Sequence, residues 1–130
     1  MPGREAFDYA VVRVVPHVER EEFVNAGVVV HCRGRDFLRA RFALDERRLL
    51  ALAPDVDLEA VRAHLEAFAR VCDGGPAAGP LGDLSPTERF HWVTSPRSTV
   101  VQTSPVHAGL CEDPDAALAH LVETVVRARP

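Results

Sequence analysis

FDYAVVRVVPHVEREEFVNAGVVVHCRGRDFLRARFAL, residues 7–44, decides the fold. Its first nine residues, FDYAVVRVV (7–15), are rich in β-branched and aromatic side chains and stop at Pro16, which predicts a strand. The acid-dense HVEREEFV (17–24) connects it to a second strand, NAGVVVHC (25–32), where Gly27 marks a bulge or a close approach. Cys32-Arg33-Gly34-Arg35-Asp36 then forms a tight turn into FLRARFAL (37–44). In that third strand Leu38, Ala40, Phe42 and Leu44 share one face while Arg39 and Arg41 share the other. The second and third strands are expected to form an antiparallel hairpin. The arginine face reads as solvated edge-strand charge, or alternatively as a partner surface.

Beyond residue 44 the period changes from two to that of a helix. DERRLLAL (45–52) suits a short helix capped by Asp45 and stopped at Pro54. In residues 57–73, Leu58, Val61, Leu65, Phe68 and Cys72 recur at spacings of 3, 4, 3 and 4, one apolar stripe of a helix that packs on the sheet. His64 flanks that stripe as a boundary residue, and Gly74-Gly75-Pro76 ends it. GGPAAGPLGD (74–83) is a loop, the segment expected to be most flexible. Ser85-Pro86-Thr87-Glu88 is a capping box with proline at the first helical position. STVVQT (98–103) predicts a fourth strand. Asp113-Pro114 opens a last helix over 114–128 with Leu118, Leu121, Val122 and Val125 inward and Arg127 and Arg129 at its negative end. The order β-β-β-α-α-(α)-β-α predicts an α+β fold: a mostly antiparallel sheet of about four strands with helices packed on one face.

The whole chain is 130 residues, and surface scaling lets a chain of this size bury about two-thirds of its unfolded area. One domain, 1–130, is therefore expected. No apolar run approaches the roughly 20 residues that span a bilayer, so no membrane association is expected. MPGREAFDYA carries acids and lacks an apolar core, which argues against a signal peptide. All 15 basic residues are arginine against 19 acids, a net charge of −4. Nine arginines and eight acids lie in residues 1–53, and the remainder is acidic. Duplex-binding domains carry a basic excess, so nucleic acid is a disfavoured partner. Cys32, Cys72 and Cys111 are odd in number and far apart, the usage of a reducing cytoplasm with free thiols.

The densest polar stretch is TSPRSTVVQTSPVHAGLC (94–111), with TSP on both sides of the fourth strand. Arg97 offers a bidentate fork, Ser98 and Thr99 donate hydrogen bonds, and Gln102, Thr103, Ser104 and His107 surround them, a set able to hold a phosphate or carboxylate. Asn25 and Arg13 are assigned to the same site, and Trp92 to the core or rim of the same pocket. His107 would tune such a site with pH. The competing account is structural: the hydroxyls satisfy the backbone at two proline turns and Arg97 pairs with a helix acid. A serine nucleophile at Ser98 or Ser104 with His107 lacks a GxSxG elbow. His31, His64, His91 and His107 with the three cysteines lack the CxxC or HxxxH pairs of structural zinc sites, so neither metal nor cofactor is expected. No glycine-rich phosphate loop is present.

YAVVRVVPHVEREEFVNAGVVVHC (9–32) with ERFHWVTSPRSTVVQTSPVHAGLC (88–111) resembles the bacterial domain-of-unknown-function family numbered 3037, over nearly the whole chain. The family's hallmark segments fall here on Arg97, Ser98, Thr99, Gln102, Ser104, Pro105 and His107, and on Phe23, Asn25, Gly27 and Val28. The resemblance implies a small bacterial domain with no inherited catalytic residue, associated with a HipA-like kinase as partner. A non-catalytic module is thus expected, binding an anionic small molecule or a kinase-like protein partner. The other classes are an enzyme on a phosphorylated or nucleotide substrate with His107 as general acid/base, and a homodimer paired through the exposed hairpin edge.

Overall fold

The computed structural model describes residues 3–127. Five strands, β1 (Glu5–Val14), β2 (Val24–Cys32), β3 (Phe37–Phe42), β4 (Val101–Thr103) and β5 (His107–Cys111), form one sheet. The helices are α1 (Glu46–Leu52), α2 (Leu58–Asp73), α3 (Pro86–Thr94) and α4 (Pro114–Leu121), the last continued by a π-helical turn over Val122–Val126. The class is α+β and every strand pairing is antiparallel. Strands run β3-β2-β1, and β4 and β5 lie end to end along the free side of β1.

Each helix begins where its capping side chain dictates. Asp45 accepts from the Arg48 amide at 3.2 Å and Asp57 from the Ala60 amide at 3.1 Å. Ser85 and Glu88 close the reciprocal box, with both bonds at 3.2 Å. Residues 76–83, expected to be a flexible loop, wind into 3₁₀ turns kinked at Gly79. Arg89, buried in α3, donates to the carbonyls of Leu84, Val71 and Cys72, and so places a cation on the C-terminal end of α2.

Gly27 sits at a bulge, where the register between β1 and β2 shifts after Val12. A Cβ there would come within 2.6 Å of the Arg41 carbonyl and overlap the Phe42 ring. The extra residue inverts the alternation of β2: Val24, Ala26 and Val29 point to one face, Val28, Val30 and Cys32 to the other. The first face packs against Leu49, Val61, Leu65, Phe68, Phe90 and Val93 of α1–α3. The second packs against Leu118, Val122 and Val126 of α4 and its continuation, together with Phe7 and Cys111.

One expectation is corrected by this arrangement. The helices do not share one face: α4 covers the opposite face from α1–α3. Val28 and Val30 require apolar cover that a solvated face would not supply, and burying each is worth about 1.5–3 kcal/mol. Arg39 and Arg41 are exposed on the edge strand β3, as expected of solvated charge, and both also reach Asp115 of α4 at 3.2 and 3.4 Å. The sheet also has a fifth strand, β5, and the fourth is shorter than expected, beginning at Val101. The last helix gives way to the π turn after Leu121, which brings Val122 and Val126 to the buried side. Residue 128 of that expected helix, and Arg129, lie outside the described residues.

Candidate functional site

At the end of the sheet where β4 pairs with β1, three segments converge: β1 itself, the connection into β2, and the loop after α3. Arg13 stands on the α4 side of β1, with Asn25 as its register partner in β2 and Gln102 in β4. The connection makes a 3₁₀ turn over Val18–Arg20, and Glu21 takes a left-handed conformation at φ 56°. That reversal returns the chain so that Phe23 lies against Arg13, its ring centroid 4.1 Å from the guanidinium carbon. Phe23 stays 43% exposed, although a phenyl ring normally seeks burial.

Arg97 follows the C-terminal end of α3. It donates to the Trp92 carbonyl, and its Nε donates to the Ser95 carbonyl at 3.3 Å, so it caps the helix as a cation should. Its guanidinium carbon lies 4.4 Å from the centroid of the Trp92 ring, which is also 43% exposed. Arg13 and Arg97 thus repeat one motif, a guanidinium stacked on an exposed aromatic ring. Among the described residues neither forms an ion pair.

Both arginines line one cleft of about 390 Å³, within the roughly 300–1,000 Å³ of small-ligand sites. Ser98 and Gln102 line it from the loop and β4, Phe23 and Glu21 from the connection. Ser98 is exposed, with no side-chain partner among the described residues. Gln102 donates to the Thr99 carbonyl at 2.8 Å. Beneath the cleft, Asn25 donates to the Val125 carbonyl at 3.1 Å. Its Oδ1 and the Nε of neighbouring Arg13 are buried without hydrogen-bond partners. A buried N–H left in that state costs about 1–3 kcal/mol until an acceptor meets it.

The other residues of the polar segment take different places. Thr99 donates its hydroxyl to the Val101 carbonyl at 2.8 Å and lines a neighbouring groove instead. Ser104 is buried where β4 breaks before β5: it exchanges bonds with Val11, accepting from the Val11 amide through Oγ at 2.8 Å and donating its own amide to the Val11 carbonyl at 2.8 Å. His107 begins β5 opposite Tyr9, its ring 5.3 Å from the tyrosine ring. Arg13 lies four positions beyond Tyr9 on β1, about 13 Å along a strand, so His107 stands apart from the cleft. The helix acid expected to pair with Arg97 is replaced by helix carbonyls.

Glu21 and the apolar wall of Val15 and Val18 were not legible as site residues. Glutamate carries no turn signal, and its left-handed backbone comes from the tertiary fold. Burial pushes the Cys72 thiol up to about 12 and raises Cys111 as well, which disfavours the reactive thiolate at both. Among the described residues no three His, Cys, Asp or Glu side chains converge as metal ligands. No helix there is long and apolar enough to cross a membrane.

A family model described as "Protein of unknown function (DUF3037)" matches residues 9–126. No curated protein and no solved structure matches the chain.

Proposed function

The chain belongs to the DUF3037 family over a span that includes every residue of the cleft, and from that premise we propose that it is a non-catalytic module that binds an anionic group between Arg13 and Arg97. The observation that carries this reading is the pairing of two guanidinium groups in one cleft, each stacked on an exposed aromatic, with no carboxylate in ion-pair contact and one buried Arg13 N–H lacking an acceptor. A phosphate or carboxylate would accept from both forks, with the Ser98 hydroxyl and the Gln102 amide beside it. Stacking fixes each guanidinium plane in advance, which lowers the entropy lost on binding.

The anion is carried by a small molecule or by a protein partner, and the sequence resemblance implies a kinase-like one. Free buried thiols support a reducing, cytoplasmic setting. The enzyme alternative puts its general acid/base at His107, which lies against the Tyr9 ring and apart from the cleft.

Titration of the protein with inorganic phosphate, followed by amide NMR, tests the proposal. Shifts are expected at Arg13, Arg97, Ser98 and Gln102. Arg13→Ala and Arg97→Ala, with their folds checked by circular dichroism, each weaken binding by about tenfold or more, the scale of a lost charge-assisted bond. Shifts that ignore the cleft, or variants that bind phosphate as the parent does, overturn the proposal.

A further inference from the structure

The connection from β1 to β2 carries three acids in four positions, Glu19, Glu21 and Glu22, and two of them are engaged. Glu22 holds Arg20 at 2.5 Å, and Glu19 lies 4.0 Å from the His17 ring. Glu21 lines the cleft with Arg13 and Arg97 and forms no ion pair among the described residues. The turn does not account for its carboxylate. A left-handed backbone at φ 56° favours glycine or asparagine, and neither carries a charge. A sphere of the cleft's 390 Å³ is about 9 Å across, inside the roughly 10 Å over which salt screens a charge. An anion seated between the two guanidinium groups is therefore repelled by Glu21 unless the ligand brings a cation of its own.

We propose that the cleft takes a zwitterion: the phosphate monoester of a small amino alcohol, with its phosphate between Arg13 and Arg97 and its ammonium at the Glu21 carboxylate. This deepens the anion-binding reading and rests on it. The charges match by complement: two cations and one anion line the cleft, and the ligand offers a dianion and one ammonium. A monoester presents three terminal oxygens, enough to meet both guanidinium forks and the Ser98 hydroxyl at once. A diester presents only two, which disfavours a lipid headgroup as the source of the same chemistry. Glu21 is then the residue that sets specificity, since Arg13 and Arg97 alone would accept any phosphate.

Calorimetric titration of the intact chain with aminoethyl phosphate and propyl phosphate, which differ by an ammonium in place of a methyl group, tests this. The aminoethyl ester is expected to bind about threefold to fivefold tighter, the scale of a partly exposed ion pair, and the ratio to shrink as salt is added. Glu21→Gln keeps the length and polarity of the side chain and removes its charge. That variant is expected to bind propyl phosphate more tightly than the parent does and to lose the preference for the ammonium. Equal affinity of the parent for the two esters, or a preference that survives in Glu21→Gln, overturns this inference and leaves the anion-binding reading intact. Failure of both esters and of inorganic phosphate to bind removes both. Co-sedimentation of the protein with phosphatidylethanolamine vesicles, abolished by Glu21→Gln, overturns the soluble monoester in favour of a lipid headgroup.

Discussion

Ser104 and Arg97 are seven positions apart in one polar segment, and the fold gives them opposite tasks. Ser104 replaces a backbone acceptor: at the break between β4 and β5, the Val11 amide finds the hydroxyl where a continuous strand would offer a carbonyl. Ser104→Ala leaves that buried N–H without a partner and is expected to cost about 1–3 kcal/mol, read as a lower denaturation midpoint with phosphate binding unchanged. A variant as stable as the parent would contradict this assignment. Residue types alone could not separate the two roles, because a serine before proline satisfies a backbone turn as readily as it binds a ligand. Arg13 was legible as an anomaly, a cation within FDYAVVRVV, but the Phe23 ring that holds it arrives through a left-handed Glu21 that no local signal announces.

At the scale of elements, the strong periodic signals were legible. The stripe of α2, the caps at Asp45 and Ser85 and the bulge at Gly27 all follow from local chemistry. The side on which α4 lies was harder. The run Val28-Val29-Val30 is what a strand covered on both faces requires, yet the alternation of arginines in β3 suggested a wet outer face. Those arginines ring the rim of the α4 contact and reach Asp115. β5 escaped because it exposes His107, Ala108 and Leu110 and so lacks an alternating pattern. Which forces hold α4 is decided by magnitude. The Asp115 pairs are about half exposed and contribute under about 1 kcal/mol, whereas Leu118 is fully buried. Leu118→Ala is expected to cost about 2–5 kcal/mol and Asp115→Ala a few tenths, both measured by urea denaturation. Equal losses would show that α4 is held electrostatically.

For the whole molecule, the layer of α1–α3 closes over a histidine. His31 of β2 is buried, stacked on Phe90 at 4.9 Å and 3.1 Å from the Thr87 hydroxyl. Burial holds its pKa below the ordinary 6.5, with His91 and Arg33 adding to that effect and Asp8 opposing it. The unfolded chain therefore takes up this proton first as pH falls. The stabilisation is complete above about 6.5 and is lost below it, down to the lowered folded pKa, with a slope of at most about 1.4 kcal/mol per pH unit. Denaturation midpoints between pH 7.5 and 5 are expected to fall for the parent and to flatten in His31→Gln, which carries no titrating group. The same slope in both proteins would exclude His31 as its source.

At the other end of the sheet, the stretches that carry the family resemblance, far apart in sequence, meet in one cleft with Arg13 and Arg97 as its cationic walls. Diffraction from crystals soaked in tungstate, a heavy tetrahedral stand-in for phosphate, tests that claim most directly. An anomalous peak is expected between Arg13 and Arg97, within hydrogen-bond reach of both guanidinium groups. An empty cleft with tungstate bound at other arginines would contradict it.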